Sequence, residues 1–122
     1  MEKDNIPEIA EITAINDVPE QEAEDQDTFE VTFSKPYRFE GKVYEKIDLS
    51  GLQDLTAEDM IQAEKYLTRN GGISSTPELT VAYVCYIAAK ASDMPVEFFR
   101  RLTPKDVIKV KNRVTLFFYA ED

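Results

Sequence analysis

The chain has no histidine and a single cysteine. The commonest general base and the commonest transition-metal ligand are therefore missing. Cys85 lies inside the apolar run LTVAYVCYIAAKA, where it reads as a small buried hydrophobe rather than a reactive thiol. One cysteine can form no intrachain disulfide, and without histidines it cannot complete a zinc site. The paired carboxylates Glu58 and Asp59 fall in the first turn of a predicted helix, where the helix dipole favours them, so they read as capping rather than acid–base residues. The acids near the N-terminus lack the DxDxDG spacing of a calcium loop. Gly71-Gly72 reads as a helix stop, and no P-loop, GxGxxG or GxSxG pattern occurs. The expectation is a protein that is not an enzyme and that uses no metal or cofactor.

The remaining chemistry is that of surfaces, so the elements that would present them come next. Between Phe33 and Leu67 the hydrophobic period changes from two to about 3.6. The run Thr28–Ser34 alternates, with Phe29, Val31 and Phe33 on one face. Tyr37–Phe39 and Val43–Leu49 flank Glu40-Gly41-Lys42, a hairpin signal in which Gly41 supplies the positive φ. Pro36 suits an edge or a bend. Two or three strands result, too few to stand alone, so helices must cover one face.

Four helices are predicted. The first spans about 57–69, capped by Thr56, with Leu55 and Met60 placed as a hydrophobic staple and Asn70-Gly71-Gly72 as the stop. The second starts at Pro77 after a Thr76 cap and runs to about Ala91; being apolar nearly all round, it is expected at the centre of the core. A short third helix covers about 96–102, with Phe98, Phe99 and Leu102 on its apolar side. The fourth starts at Thr103-Pro104 and runs to about Phe118. Val107, Val110, Val114 and Phe117 or Phe118 mark its apolar side, and Lys105, Lys109, Lys111 and Arg113 are expected largely outward. Such a basic face reads as solvated rather than as a nucleic-acid patch. The fold class predicted is α+β, a small hairpin or three-strand sheet packed on about four helices.

Charge divides the chain in two. Residues 1–30 hold 11 of the 24 acids and one base, whereas residues 31–122 hold 13 acids and 13 bases. The entire net charge of −10 thus sits in the first quarter. Residues 1–27, with Pro7 and Pro19, read as a solvated, disordered arm. The alternative is a docking segment or an extra edge element, because Ile6, Ile9, Ile12 and Ile15 recur every third residue. Residues 28–122 are expected to form one globular domain. An acidic chain without a basic stripe is a poor nucleic-acid binder. No apolar run approaches ~18 residues and no basic-then-apolar start is seen, so neither a membrane span nor a signal peptide is expected.

The line SKPYRFEGKVYEKIDLSGLQDLTAEDMIQAEK resembles the phage tail assembly chaperone family. The resemblance lies in Ser34-Lys35-Pro36, Phe39, Gly41-Lys42, Tyr44 and Ile47-Asp48-Leu49. It continues in Leu55-Thr56, Asp59-Met60-Ile61 and Ala63-Glu64. It extends through PELTVAYVCYIAAKA, the Pro95–Phe99 segment and the ending DVIKVKNRVTLFF, covering about residues 31–119. The acidic arm is longer than the family pattern. The resemblance implies a protein made in the cytoplasm of an infected bacterium, or from a prophage, and not expected in the mature virion. It implies binding to the tape measure protein, keeping it soluble until the tail tube polymerises, with the tail tube protein a further partner and a homo-oligomer an open alternative. Some such proteins also occur in a longer, frameshifted form.

No binding residues are carried over from the family. From the residues themselves, the expected partner surface is Phe98, Phe99, Val110, Val114, Phe117, Phe118 and Tyr119, each of which has core packing as its competing role. Two other functions compete with the chaperone. One is an acidic regulatory or DNA-mimic protein that uses the arm against a basic host protein. The other is a structural subunit retained in the phage tail.

Overall fold

The structure, a computed structural model, describes residues 29–120. The acidic arm expected over residues 1–27 lies outside the described residues. The chain is α+β: strands β1 (Glu30–Phe39) and β2 (Lys42–Asp48), then helices α1 (Ala57–Arg69), α2 (Val81–Ser92), α3 (Val96–Arg100) and α4 (Pro104–Tyr119). Single 3₁₀ turns cover Ser50–Asp54 and Pro77–Leu79.

The sheet is an antiparallel hairpin. Phe39 pairs with Lys42, and the two turn residues have positive φ, 50° at Glu40 and 83° at Gly41. That is the signature of a type I′ turn, whose twist matches that of the strands. A third strand is not present among the described residues. Two of the expected runs, on either side of Pro36, belong to the single strand β1. Thr32 pairs with Lys46 and Tyr37 with Tyr44, so the four residues Phe33–Pro36 oppose Glu45 alone. This bulge absorbs the proline, which has no N–H to give to a ladder, and lets β1 bend instead of ending.

The helix boundaries follow local chemistry. The Asp59 carboxylate accepts from the Thr56 backbone N–H at 2.9 Å, tying the first turn of α1. At its other end Gly71, at φ 84°, donates to the Thr68 carbonyl and Gly72 donates to that of Leu67. This is a Schellman closure. The second helix begins later than Thr76-Pro77 suggests. Pro77–Leu79 forms only a 3₁₀ turn, and α2 starts at Val81 under Thr80, whose hydroxyl donates to the Pro77 carbonyl and accepts from the Tyr83 N–H. Thr80 has extended backbone, φ −92° and ψ 153°, so the chain resets there before the helix proper.

The apolar helix α2 is the central element. It packs against α1, α3, α4 and both 3₁₀ turns, and Tyr83, Val84, Cys85, Ile87, Ala88 and Ala89 are buried. The hairpin contributes Val31, Phe33, Phe39 and Ile47 to the same core. Phe98 of α3 is its aromatic hub. The rings of Tyr44, Phe99, Tyr37 and Phe39 stand edge-on to it, with centroids 4.9–5.2 Å away. Edge-to-face geometry sets the positive ring edge against a negative face. The Tyr37 hydroxyl also donates to the Phe98 carbonyl at 2.7 Å, which locks α3 beneath the hairpin. Burial raises the Tyr37 pKa, and nearby Arg101 opposes the shift.

Candidate partner-binding surface

Of the residues expected to form a contact surface, the structure places Phe98, Phe99, Val110 and Val114 wholly inside, each at 0% exposure. These four hold the domain together. Their side chains close the space between α2, the hairpin and α4, and none reaches the surface in this conformation.

The other three lie on the last turn of α4. Phe117 and Phe118 are half-buried. The Phe117 ring meets Phe29 edge-on at 5.8 Å. Tyr119 is 56% exposed, and its hydroxyl donates to Glu78 Oε2 at 2.6 Å. That hydrogen bond holds the Glu78 carboxyl below the usual carboxylate range and raises the Tyr119 phenol. It fastens the end of α4 to the 3₁₀ turn before α2.

Residues outside the expected set complete this surface. On a helix of 3.6 residues per turn, Val110, Val114 and Phe117 point inward, whereas Ile108, Leu116 and Tyr119 lie on the opposite side. Ile108 and Leu116 are exposed, as is Leu79 next to Glu78. The spacing of eight between Ile108 and Leu116, with Tyr119 three further on, marks a second apolar stripe. It is legible in the sequence but overshadowed by the stronger valine stripe.

Bases border the stripe. Lys105 and Lys109 are exposed, and the Lys109 ammonium donates to the Thr32 carbonyl at 3.0 Å. Lys111 is half-buried. Arg113, expected to point outward, is instead buried at 9% exposure. Its position, three after Val110 and four before Phe117, puts it on the inward side of the helix, where the aliphatic stem of an arginine can pack. The outer face of α4 therefore combines exposed apolar residues with positive charge. It suits an amphipathic segment carrying acids beside its apolar stripe.

A second concavity opens elsewhere. Tyr66, Tyr86, Ala89, Lys90, Asp93, Met94 and Val96 line a cleft of about 400 Å³. Arg100 hydrogen-bonds the Tyr66 hydroxyl, and the Tyr66 and Tyr86 rings lie 5.4 Å apart. Lys90 and Asp93 bring opposite charges to this cleft, and Arg100 adds a second positive charge at its Tyr66 edge.

Cys85 is buried, and burial pushes its thiol up to about 11. It is the opposite of an activated nucleophile. Among the described residues, no group of three His, Cys, Asp or Glu side chains could hold a metal ion. No described helix is long and apolar enough to cross a membrane. Comparison with protein families, curated proteins and solved structures finds no match for the chain.

Proposed function

We propose that this chain is a non-enzymatic phage tail assembly chaperone. In this reading it binds the helical tape measure protein in the host cytoplasm and keeps it soluble until the tail tube forms around it. The protein then departs and is missing from the mature virion. A tape measure is a long helical chain whose apolar stripes promote aggregation. A partner for it needs an apolar face of its own, high solubility and an affinity low enough to be displaced.

The observation that carries the reading is the outer face of α4, where Ile108, Leu116 and Tyr119 stand exposed with Lys105 and Lys109 beside them. The resemblance across residues 31–119 supports it from the side of sequence. The net charge of −10 supports it from solubility, since like-charged complexes repel.

The test is co-expression with the tape measure protein of the same genome, followed by size-exclusion chromatography of the soluble fraction. Co-elution is the expected result, and it would also give the stoichiometry. A tape measure that pellets equally with and without this protein overturns the reading.

A second reading is favoured by the segregation of charge, with all of the net charge in residues 1–30. In it the acidic arm imitates nucleic acid toward a basic host protein. It predicts a salt-sensitive complex that is lost on deleting residues 1–27.

A further inference from the structure

We propose that Asn70 is a modification site. The backbone nitrogen of Gly71 attacks its side-chain amide, the residue passes through a succinimide to aspartate and isoaspartate, and the cap of α1, held by Arg100, sets the rate.

Of the four asparagines in the chain, only Asn70 is followed by glycine. Glycine has no Cβ to crowd its own nitrogen, so that nitrogen attacks with the least hindrance. Both residues are exposed to solvent, and they close the C-terminal end of α1. Asn112, the other asparagine among the described residues, lies inside α4 and precedes the much larger Arg113. There the helical ladder holds the following N–H.

The reaction balances with water alone. The Gly71 N–H gives its proton to hydroxide as the nitrogen bonds to Asn70 Cγ. The bond between Cγ and Nδ2 then breaks, and Nδ2 leaves as ammonia, taking its extra proton from water and regenerating hydroxide. Water opens the resulting succinimide at either carbonyl. Cleavage at Cγ leaves aspartate. Cleavage at the main-chain carbonyl leaves isoaspartate, in which the main chain runs through the former side chain. The net change is one water consumed and one ammonia released.

The capped conformation keeps the reacting atoms apart. Asn70 has ψ 19°, which places the Gly71 nitrogen close to eclipsing the nitrogen of Asn70 itself and turns it away from Cβ. Ring closure requires ψ to rotate until the Gly71 nitrogen lies on the Cβ side. Three hydrogen bonds resist that rotation: Asn70 Nδ2 donates to the Tyr66 carbonyl at 2.8 Å, Gly71 N–H to that of Thr68 at 3.0 Å and Gly72 N–H to that of Leu67 at 2.9 Å. A fourth restraint comes from α3. Arg100 Nη1 donates to Asn70 Oδ1 at 3.4 Å and also bonds the Tyr66 hydroxyl. A cation at Oδ1 polarises the carbonyl toward attack, but that counts only once the nucleophile is in near-attack geometry. While the cap is closed, Arg100 is therefore a restraint.

Either product undoes the cap. Isoaspartate adds Cβ to the main chain and shifts the Gly71 and Gly72 N–H groups out of register with the Thr68 and Leu67 carbonyls. Aspartate keeps the main chain but loses the Nδ2 donor to Tyr66, and it puts negative charge at a helix C-terminus, where the dipole disfavours it. Modification thus loosens the connection between α1 and α2. The chemistry does not depend on what the protein binds, so its failure leaves the proposed function standing.

The test is incubation of the full chain in warm, mildly alkaline buffer, folded and in urea. A glutamate-specific protease then releases the Lys65–Glu78 peptide. Mass spectrometry reads the conversion of amide to acid, and methylation by an isoaspartyl methyltransferase measures isoaspartate. Conversion at residue 70 is expected in urea, and at least about tenfold more slowly in the folded chain, because the cap must open first. Arg100→Ala removes one restraining hydrogen bond and is expected to speed conversion of the folded chain roughly two- to tenfold while leaving the rate in urea unchanged. Tyr66→Phe, which removes the hydroxyl that anchors Arg100, is expected to act in the same direction. Urea unfolding of both variants separates local opening of the cap from loss of global stability. Absence of conversion at residue 70 in urea overturns the proposal. Equal rates in the folded and unfolded chain, or folded variants that both convert as slowly as the parent, also overturn it.

Discussion

The Asp106 carboxylate accepts the Ser34 backbone N–H at 2.9 Å and the Ser34 hydroxyl at 3.3 Å, across 72 residues of sequence. Ser34 lies in the bulge of β1, where the ladder supplies no strand partner for its N–H. Asp106 is buried at 3% exposure in the first turn of α4, and its own N–H is capped by Thr103 at 3.4 Å. The irregularity in the strand and the start of the helix thus complete one another. A buried carboxylate is expensive to desolvate unless its acceptors are used, and here they are.

Replacing Asp106 by alanine removes the charged acceptor of both hydrogen bonds from Ser34 and should cost about 1–3 kcal/mol. At roughly 4–8 °C per kcal/mol for a domain of this size, thermal unfolding would fall by on the order of 10 °C. Circular dichroism melting of the variant checks this. Asp106→Asn, which keeps an acceptor toward Ser34, should lose less.

Core and surface roles on α3 and α4 separate by mutation. Phe98→Ala removes the aromatic hub and should destabilise by about 3–5 kcal/mol, measured by urea unfolding. Leu116→Ser should change stability by no more than about 0.5 kcal/mol, and Tyr119→Ser, which also loses the hydrogen bond to Glu78, should leave the domain folded. In the co-expression assay, the Leu116→Ser, Tyr119→Ser double variant should lose tape measure solubilisation while remaining folded. If it solubilises as well as the parent, the binding surface lies elsewhere.

Two backbone positions have opposite prospects. A Cβ on Gly51 would fall inside the contact distance of the Ala91 carbonyl oxygen, where the 3₁₀ turn after β2 crosses α2. Gly51→Ala should therefore force the two apart and cost about 1–3 kcal/mol. Glu40 occupies a left-handed conformation at φ 50°, which asparagine tolerates better. Glu40→Asn should gain roughly 0.5–1 kcal/mol, and parallel denaturant titrations of the two variants check both signs.

Alkaline pH should loosen the core. Burial raises the Cys85 thiol from 9.0 to about 11 and the Tyr83 phenol from 10.0 to about 12. A raised folded-state pKa means that the native state keeps its proton longer, so this stability is complete below the unfolded values. It is lost as pH rises from about 9 to about 12. Thermal melts across that range should show the decline. At pH 8, Ellman's reagent should find no reactive thiol until denaturant is added.

The Tyr119–Glu78 tie has the opposite pH sense. The Glu78 carboxyl is held low, chiefly by the Tyr119 hydroxyl. The contact is therefore complete above the ordinary carboxylate range and is lost as pH falls through the native Glu78 value. Side-chain NMR of Tyr119 should move toward its untied position over that acidic interval. Glu78→Ala, which removes the acceptor, should hold it there at neutral pH.

The elements were mostly legible because their signals are local. The Glu40-Gly41 turn, the Thr56–Asp59 cap, the Gly71-Gly72 stop and the Thr103-Pro104 start each involve residues within a few positions of one another. The hairpin, α1, α3 and α4 appear where these signals place them. The second helix begins four residues late because two threonines, Thr76 and Thr80, each announce a start, and only the hydrogen bonds of Thr80 carry a full helix. The surface was less legible. Four of its seven expected residues are core, and Ile108, Leu116 and Leu79 were passed over.

From its residues alone, the chain determines an α+β order of elements, an apolar central helix, a chemistry without histidine or paired thiols, and a first quarter, residues 1–30, that carries the whole net charge. Those properties follow from composition and from neighbours along the backbone. The tertiary structure decided which side of α4 faces inward. Helix α4 has one apolar stripe through Val110, Val114 and Phe117 and a weaker one through Ile108, Leu116 and Tyr119, and periodicity ranks the first higher without saying whether it meets the core or a partner. The choice falls to segments far away in sequence: the β1 bulge that captures Asp106, the α2 face that accepts the valines, and Phe29 against Phe117. Burial is a property of pairs of surfaces, so Phe98 and Phe99 became core and Arg113 turned inward only once those surfaces met.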